Sequence, residues 1–402
     1  MHLSGKALVV AMCIGQVGNL LPHVVVPAIM AQHLMPPWNL SAAEAGLMAS
    51  AFAFGYMLAV PLLATLTDRI DARRILLLGS LVSGLATAAF GLLAEDLLSA
   101  SLIWGLTGIG FAGAYMPGLK AMTDRLGPGD HSRSVTLYTA SFSLGVGLSF
   151  LVAQIVADSW GWRAAFFVTA LGPLAMIAVC LRMAPVVPKP ASGKLLDFRP
   201  VFRNRPALGY VLGYGAHCFE LYGMRTWLVA FWGFVAAQHG GATPVGAVML
   251  SFLIGIMAMP ASVIGNEFAI RFGRHRAITL VMLASGTIAL SIGALAEASP
   301  WLLLVLLGLY SFTVPADSGA LTSGMAANAV PEYRGATMAL HSTVGFGLSG
   351  VGAWAVGVAI DAGGGPQDPH GWLAGFALMA VAIFLGPVAL WWSRRTAPAG
   401  SN

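Results

Sequence analysis

Most of the ionisable side chains that lie deep in apolar stretches of this sequence are His23, Lys120, His217, Glu220, Arg225, Asp317 and His341. A charge taken out of water costs several kcal/mol, as a rough scale, unless something compensates it. Such residues therefore point to a task that needs them. Glu220 and Asp317 sit near the middles of their apolar stretches, where a short carboxylate cannot reach water, and that placement suits uptake of a coupling proton. His217 shares a helix face with Glu220 at i, i+3 and reads as its relay partner. Two ligands on one helix, with no second cluster of like spacing, do not make a metal site, and no metal or other cofactor is expected. Arg225 lies just past mid-stretch. It suits either an ion pair with Glu220 or Asp317 or attraction of a negatively charged solute, a role that Lys120, nearer an end and able to snorkel, shares. Gln16, Asn19 and His23 form one polar stripe at helical spacing on a stretch that also holds Pro22 and Pro27. That stripe must face protein or water, which makes it a candidate solute contact, with Tyr214 and Tyr310 as aromatic contacts.

Composition dictates the elements that carry these groups. Of 402 residues, 57% are hydrophobic and 9% charged, and the mean hydropathy is +0.79, far from what a soluble core of this length requires. The chain reads as an all-α polytopic membrane protein. A helix needs about 20 apolar residues to cross the hydrocarbon, and polar breaks leave twelve such segments: 7–29, 44–67, 74–94, 98–122, 133–157, 163–183, 207–237, 244–270, 277–296, 300–326, 334–360 and 371–392. With the N-terminus inside, all of the 21 Lys and Arg except Arg163, Lys120 and Arg225 fall at cytoplasmic ends and loops. This bias places both termini in the cytoplasm, and a bacterial inner membrane is the expected location. The net charge of +5 is spread along the chain rather than gathered on one polar domain, so no nucleic-acid partner is expected. Cys13, Cys180 and Cys218 all lie in apolar segments and read as buried thiols, not a disulfide framework.

One short polar stretch organises the rest. Thr65-Leu66-Thr67-Asp68-Arg69-Ile70-Asp71-Ala72-Arg73-Arg74 separates two apolar runs, and about two hundred residues later Gly265-Asn266-Glu267-Phe268-Ala269-Ile270-Arg271-Phe272-Gly273-Arg274-His275-Arg276 does the same. Arg69 then aligns with Arg271 and Arg74 with Arg276. Other pieces recur in step: Arg133 with Arg334, Gly161-Trp162 with Gly371-Trp372, and Gly147-Leu148-Ser149 with Gly347-Leu348-Ser349. The second half repeats the first. The halves are read as residues 1–184 and 207–402, joined by a basic, proline-containing linker over 185–206. Gly108-x-Gly110-x-x-Gly113 spells a dinucleotide fingerprint, but it lies inside one apolar helix, where small residues serve close packing.

The charged turn resembles the loop signature of the major facilitator superfamily, Gly-x-x-x-Asp-Arg-x-Gly-Arg-Arg, with Ala64 and Asp71 where glycines are expected and Ala72 in place of an arginine. In the second copy Ile270 takes the acidic position and Glu267 stands in for it. The run from Gly105 to Pro117 resembles the family's fourth-helix motif, with Trp104 where an arginine is usual. The resemblance implies two six-helix bundles, a central cavity lined by helices one, four, seven and ten, and alternating access. It implies a cytoplasmic gate at Asp68, Arg69, Arg73 and Arg74. No nucleophile and base recur and no nucleotide motif appears, so the expected function is not an enzyme's but that of a monomeric, proton-coupled carrier of a small organic anion. Export of amphipathic drugs, with Glu220 or Asp317 meeting a cation, and solute sensing without transport remain open on the sequence.

Overall fold

The computed structural model describes residues 3–127, 131–188, 198–330 and 333–394. Lys189, Pro190 and Lys194 of the expected linker, and Arg395, lie outside the described residues. The chain is helical almost throughout: α1 (Gly5–Leu20, continued by a bent arm Val25–Trp38), α2 (Ala42–Leu66), α3 (Ala72–Leu93), α4 (Leu97–Thr123), α5 (His131–Trp160), α6 (Trp162–Leu181), α7 (Arg205–Gln238), α8 (Ala247–Phe272), α9 (Arg274–Ala294), α10 (Pro300–Asn328), α11 (Arg334–Ala362) and α12 (Pro369–Arg394). Ten of these are long and apolar enough by themselves to cross a membrane, and α1 with its arm, bent by 51°, makes an eleventh. The remaining helix, α7, is the longest at 34 residues. It falls short in apolarity because it carries His217, Glu220 and Arg225, and at 1.5 Å per residue it has ample length to span.

The helices turn their sides inside out relative to a soluble bundle. On α3, Leu78, Leu81, Leu85 and Leu92 make an exposed stripe at helical spacing, while Gly79, Ser80, Ser83 and Thr87 are buried. Leucine toward lipid and small or hydroxyl residues toward protein is what packing without a hydrophobic driving force favours. The glycines of the 108–113 run serve the same end. A Cβ on Gly79 would come within 2.6 Å of Gly110 O and Gly113 C, so α3 and α4 touch backbone to backbone. Trp104, at the position where the family motif has an arginine, is fully buried against Phe90, Phe166 and Phe52, an aromatic filling rather than a charge.

The described chain divides into two compact units. One comprises residues 1–40, 51–195 and 248–256, and the other 41–50, 196–247 and 257–402. They depart from contiguous halves at two short helical stretches, 41–50 and 248–256. The reason for the first is visible at its end: the Asp361 carboxylate accepts hydrogen bonds from the backbone N–H groups of Ala42 (3.0 Å) and Ala43 (2.7 Å), capping α2. The core of the second unit gathers Tyr210, Val211, Ile278, Met282, Leu321, Ile383 and Leu390.

Two interruptions of the helices place polar groups inside the units. Pro22 and Pro27 break α1, and His23 sits in the unwound turn. The broken backbone is repaired from α5: Ser149 Oγ accepts from Val24 N–H (3.2 Å) and donates to the Leu21 carbonyl (2.7 Å). Pro315 breaks α10, with Asp317 at the joint between Pro300–Ala316 and Ser318–Asn328. Each unit therefore carries a titratable side chain at a helix break.

Candidate functional site

In the second unit, α7 and α10 bring His217 and Asp317 together. His217 Nδ1 and Asp317 Oδ1 are 2.7 Å apart with both side chains at most 2% exposed, though the two atoms lack hydrogen-bond alignment. Glu220, one turn further along α7, is fully buried; its Oε1 accepts from Ser285 Oγ of α9 at 2.8 Å and its Oε2 has no hydrogen-bond partner. Tyr214 stacks on His341 at 3.8 Å between ring centroids and lies 5.5 Å from His217. Tyr310, also fully buried, points its hydroxyl toward Met379 Sδ at 3.9 Å.

Arg225 stands apart from this cluster. The sequence left open a pair with Glu220 or Asp317, and neither forms: Asp317 is taken by His217 and Glu220 by Ser285. Among the described residues Arg225 makes no ion pair, although its side chain is only 7% exposed. Its guanidinium carbon lies 5.6 Å from the Tyr222 ring centroid, a cation–π contact from the preceding turn of the same helix. Five residues separate it from Glu220, about 7.5 Å along the axis.

In the first unit the Gln16, Asn19 and His23 stripe turns inward, while Val10 and Ile14 on the other side of α1 are exposed. Gln16 Oε1 accepts from the Tyr138 hydroxyl at 2.8 Å. Asn19 is 1% exposed and, among the described residues, neither atom of its amide meets a hydrogen-bond partner. His23 is enclosed by the rings of Phe52, Phe111 and Phe142, with centroids 5.0 to 5.5 Å away. Lys120 pairs with Asp124 at 3.2 Å, one turn on, so its ammonium is engaged at the helix end.

The charged turn is built around a residue other than the one the motif names. Asp68, Arg69 and Arg74 are exposed. Asp71 is buried: it caps α3 by accepting from Arg73 N–H (2.9 Å), receives both of its oxygens' contacts from Arg125 at 2.8 Å, and accepts from Val186 N–H at 2.9 Å. Arg73 and Arg125 in turn donate to the carbonyls of Met183 and Ala184, each at 2.7 Å, which fastens the segment leaving α6. Burial opposes the charge of Asp71, but the Arg125 guanidinium with the Val186 and Arg73 N–H groups outweighs it and holds the carboxyl below the usual range. The second copy differs for a conformational reason. Gly273, aligned with Asp71, has φ +86, a left-handed turn that glycine permits, whereas Asp71 at φ −49 is free to cap.

Known proteins share both the sequence pattern and this architecture. A sequence profile of the Major Facilitator Superfamily matches residues 8–322. The chain belongs to the major facilitator superfamily. In fold it is similar to a bacterial homolog of the human lysosomal transporter Spinster in an inward-facing, occupied conformation, with a TM-score of 0.76, 16% identity, and coverage of 97% of this chain and 96% of that one. The POT family transporter PepTSo gives a TM-score of 0.77 at 12% identity, covering 98% and 99%. A mutant of the nucleoside transporter NupG gives 0.72 at 13%, covering 96% and 99%.

For this member of the superfamily, sequence reasoning found the ionisable residues of the second unit but not their partners. Ser285 and Ser149 carry no mark that separates them from other hydroxyls in apolar helices. Asp71 did carry one: an acid in place of the motif's glycine directly before a helix start is an N-cap signal. Arg125 registers in sequence only as one more basic residue at a helix end.

Proposed function

We propose that this superfamily member carries a small organic anion across the membrane by alternating access, coupled to protons, with its arginine-rich helix ends toward the cytoplasm. The observation that carries the reading is Arg225, a buried guanidinium with no carboxylate partner among the described residues. A buried cation is costly until an anion reaches it, and a guanidinium suits a planar, two-oxygen anion such as a carboxylate. The Tyr222 face and the Tyr214 and Tyr310 rings would meet the apolar part of the solute.

Protons are assigned to the neighbouring carboxyls. The sequence left open whether Arg225 serves an ion pair or the solute. With Glu220 on Ser285 and Asp317 on His217, the arrangement supports a scheme in which anion and proton occupy separate places on α7. Glu220 has the Ser285 hydroxyl and, beside it, the Tyr310 hydroxyl, but no cation among the described residues, so binding a proton removes the cost of an ionised group in a dry site. His217 and Asp317, 2.7 Å apart, are proposed as the second place for a proton. In the first unit, the unmatched amide of Asn19 is the polar contact best suited to a solute, with Gln16 tied to Tyr138 and His23 among phenyl rings. Asp68, Arg69, Arg73 and Arg74 stay proposed as the gate, with Arg73 anchored through the Asp71 tie.

Counterflow in proteoliposomes tests the reading. Protein loaded with a mixture of monocarboxylates and dicarboxylates should exchange at least one labelled acid, and an inward-acid pH gradient should concentrate it. Exchange of organic cations with none of the acids would reject the anion assignment, and the absence of any exchange would favour a sensor.

A further inference from the structure

The second copy of the charged turn has no role in the site described above, yet its last arginine meets another from the end of the chain. Arg276, in the first turn of α9, and Arg394, at the end of α12, both line a groove of about 630 Å³ between these helices. Neither forms an ion pair among the described residues. Besides the two arginines, His275 and Thr279 are the polar side chains of the lining; Leu280, Pro387, Val388, Leu390 and Trp391 form apolar walls, and Leu280, Val388 and Trp391 are each more than half exposed. Next to it, Arg205 lies over the Trp392 ring at 5.9 Å. Tryptophans beside arginines at a helix end are what the boundary between hydrocarbon and headgroups selects.

Apolar walls by themselves would be covered by any lipid tail. Two guanidiniums with no ion pair among the described residues, at the end of those walls, ask for more, since each presents donors matched to phosphate oxygens. We propose that this groove binds an anionic phospholipid, its phosphate on Arg276 and Arg394 and an acyl chain along Leu280, Pro387 and Val388. A free phosphate would leave the apolar walls unused. A second copy of the chain, meeting this face about a two-fold axis, would set the same arginines against each other. The turn that carries Asp71 in the first unit is tied to its own chain; in the aligned turn of the second, His275 packs on Tyr210 at 5.2 Å between ring centroids while Arg276 stays exposed at the groove.

The test uses the purified full chain, stripped of lipid and titrated with phosphatidylglycerol or phosphatidylcholine under native mass spectrometry. A one-to-one phosphatidylglycerol adduct should form at lower lipid concentration than any phosphatidylcholine adduct. The Arg276→Gln/Arg394→Gln variant should bind phosphatidylglycerol about thirtyfold more weakly, two arginines at the strength each has toward an anionic membrane surface. Its phosphatidylcholine binding should not change. Equal binding of the two lipids, or unchanged phosphatidylglycerol binding in the double variant, overturns the proposal. So does displacement of the lipid by millimolar inorganic phosphate, which would make this a site for free anions, or a dimer in light scattering that the double variant abolishes. A measurement that does not depend on the folding of the arginine variants uses bromine-labelled acyl chains. The Trp391 emission, taken as the difference between wild type and Trp391→Phe, should be quenched more by brominated phosphatidylglycerol than by brominated phosphatidylcholine at equal mole fraction, and equal quenching counts against the site.

Discussion

Replacing Arg225 with methionine should move stability and binding in opposite directions. Arg225 is 7% exposed and its guanidinium pairs with no carboxylate among the described residues, so without bound solute it bears a desolvation cost of roughly several kcal/mol. The Tyr222 face returns about 0.5–2 kcal/mol of that. Methionine fills similar space without charge, and exchanges of buried ions for apolar residues stabilise by roughly 1–4 kcal/mol where geometry is kept. Subtracting the cation–π contact leaves, at the midpoints of these ranges, a gain of about 1 kcal/mol for Arg225→Met. Thermal unfolding in detergent without solute should therefore shift upward by a few degrees. The same change should weaken binding of the transported anion by about 10- to 150-fold, the loss of one charge-assisted hydrogen bond of roughly 1.5–3 kcal/mol, read by calorimetry. A variant that unfolds earlier than wild type, with anion affinity unchanged, would refute the reasoning and make Arg225 a structural group.

Glu220→Gln should preserve solute exchange and lose accumulation driven by a pH gradient, and Asp317→Asn should do so in part; full pH-driven accumulation in both variants would remove the proton role from these carboxyls. Ser149→Ala strands the Val24 N–H and the Leu21 carbonyl at the break in α1, and thermal denaturation should show a loss of about 1–3 kcal/mol. Asp71→Asn should destabilise the protein, whereas Asp68→Asn, on an exposed side chain, should leave stability unchanged and alter the balance of cysteine accessibility between the two membrane faces; no change in accessibility would rule out the gate. Because the folded-state carboxyl of Asp71 is held below its ordinary value of 3.8, its contribution is complete above that value and is lost as pH falls through the lower folded value. The stability difference between wild type and Asp71→Asn should accordingly be full near neutrality and shrink in acid, and a difference independent of pH would argue against the Asp71 tie.

The twelve-helix architecture was legible because a membrane leaves few choices: every backbone group must be satisfied within a helix, so length and apolarity suffice to mark spans. Even α7, which fails an apolarity criterion taken alone, was placed by the polar breaks on either side of it. Ionisable residues in those spans were legible for the same reason, since the cost of burying Glu220, Arg225 or Asp317 does not depend on which neighbour they meet. Partner choice did depend on it. Whether Asp317 would meet Arg225 or His217, and whether Glu220 would meet a cation or Ser285, rests on the rotation of each helix about its axis and on the break after Pro315, to a precision of a few ångströms that spacing along one chain does not encode. The charged turn divides in the same way. Its recurrence and its basic residues were fixed by sequence, but the exchange of a glycine for Asp71 gained meaning only once folding brought Arg125 and Val186, far along the chain, to the same carboxylate.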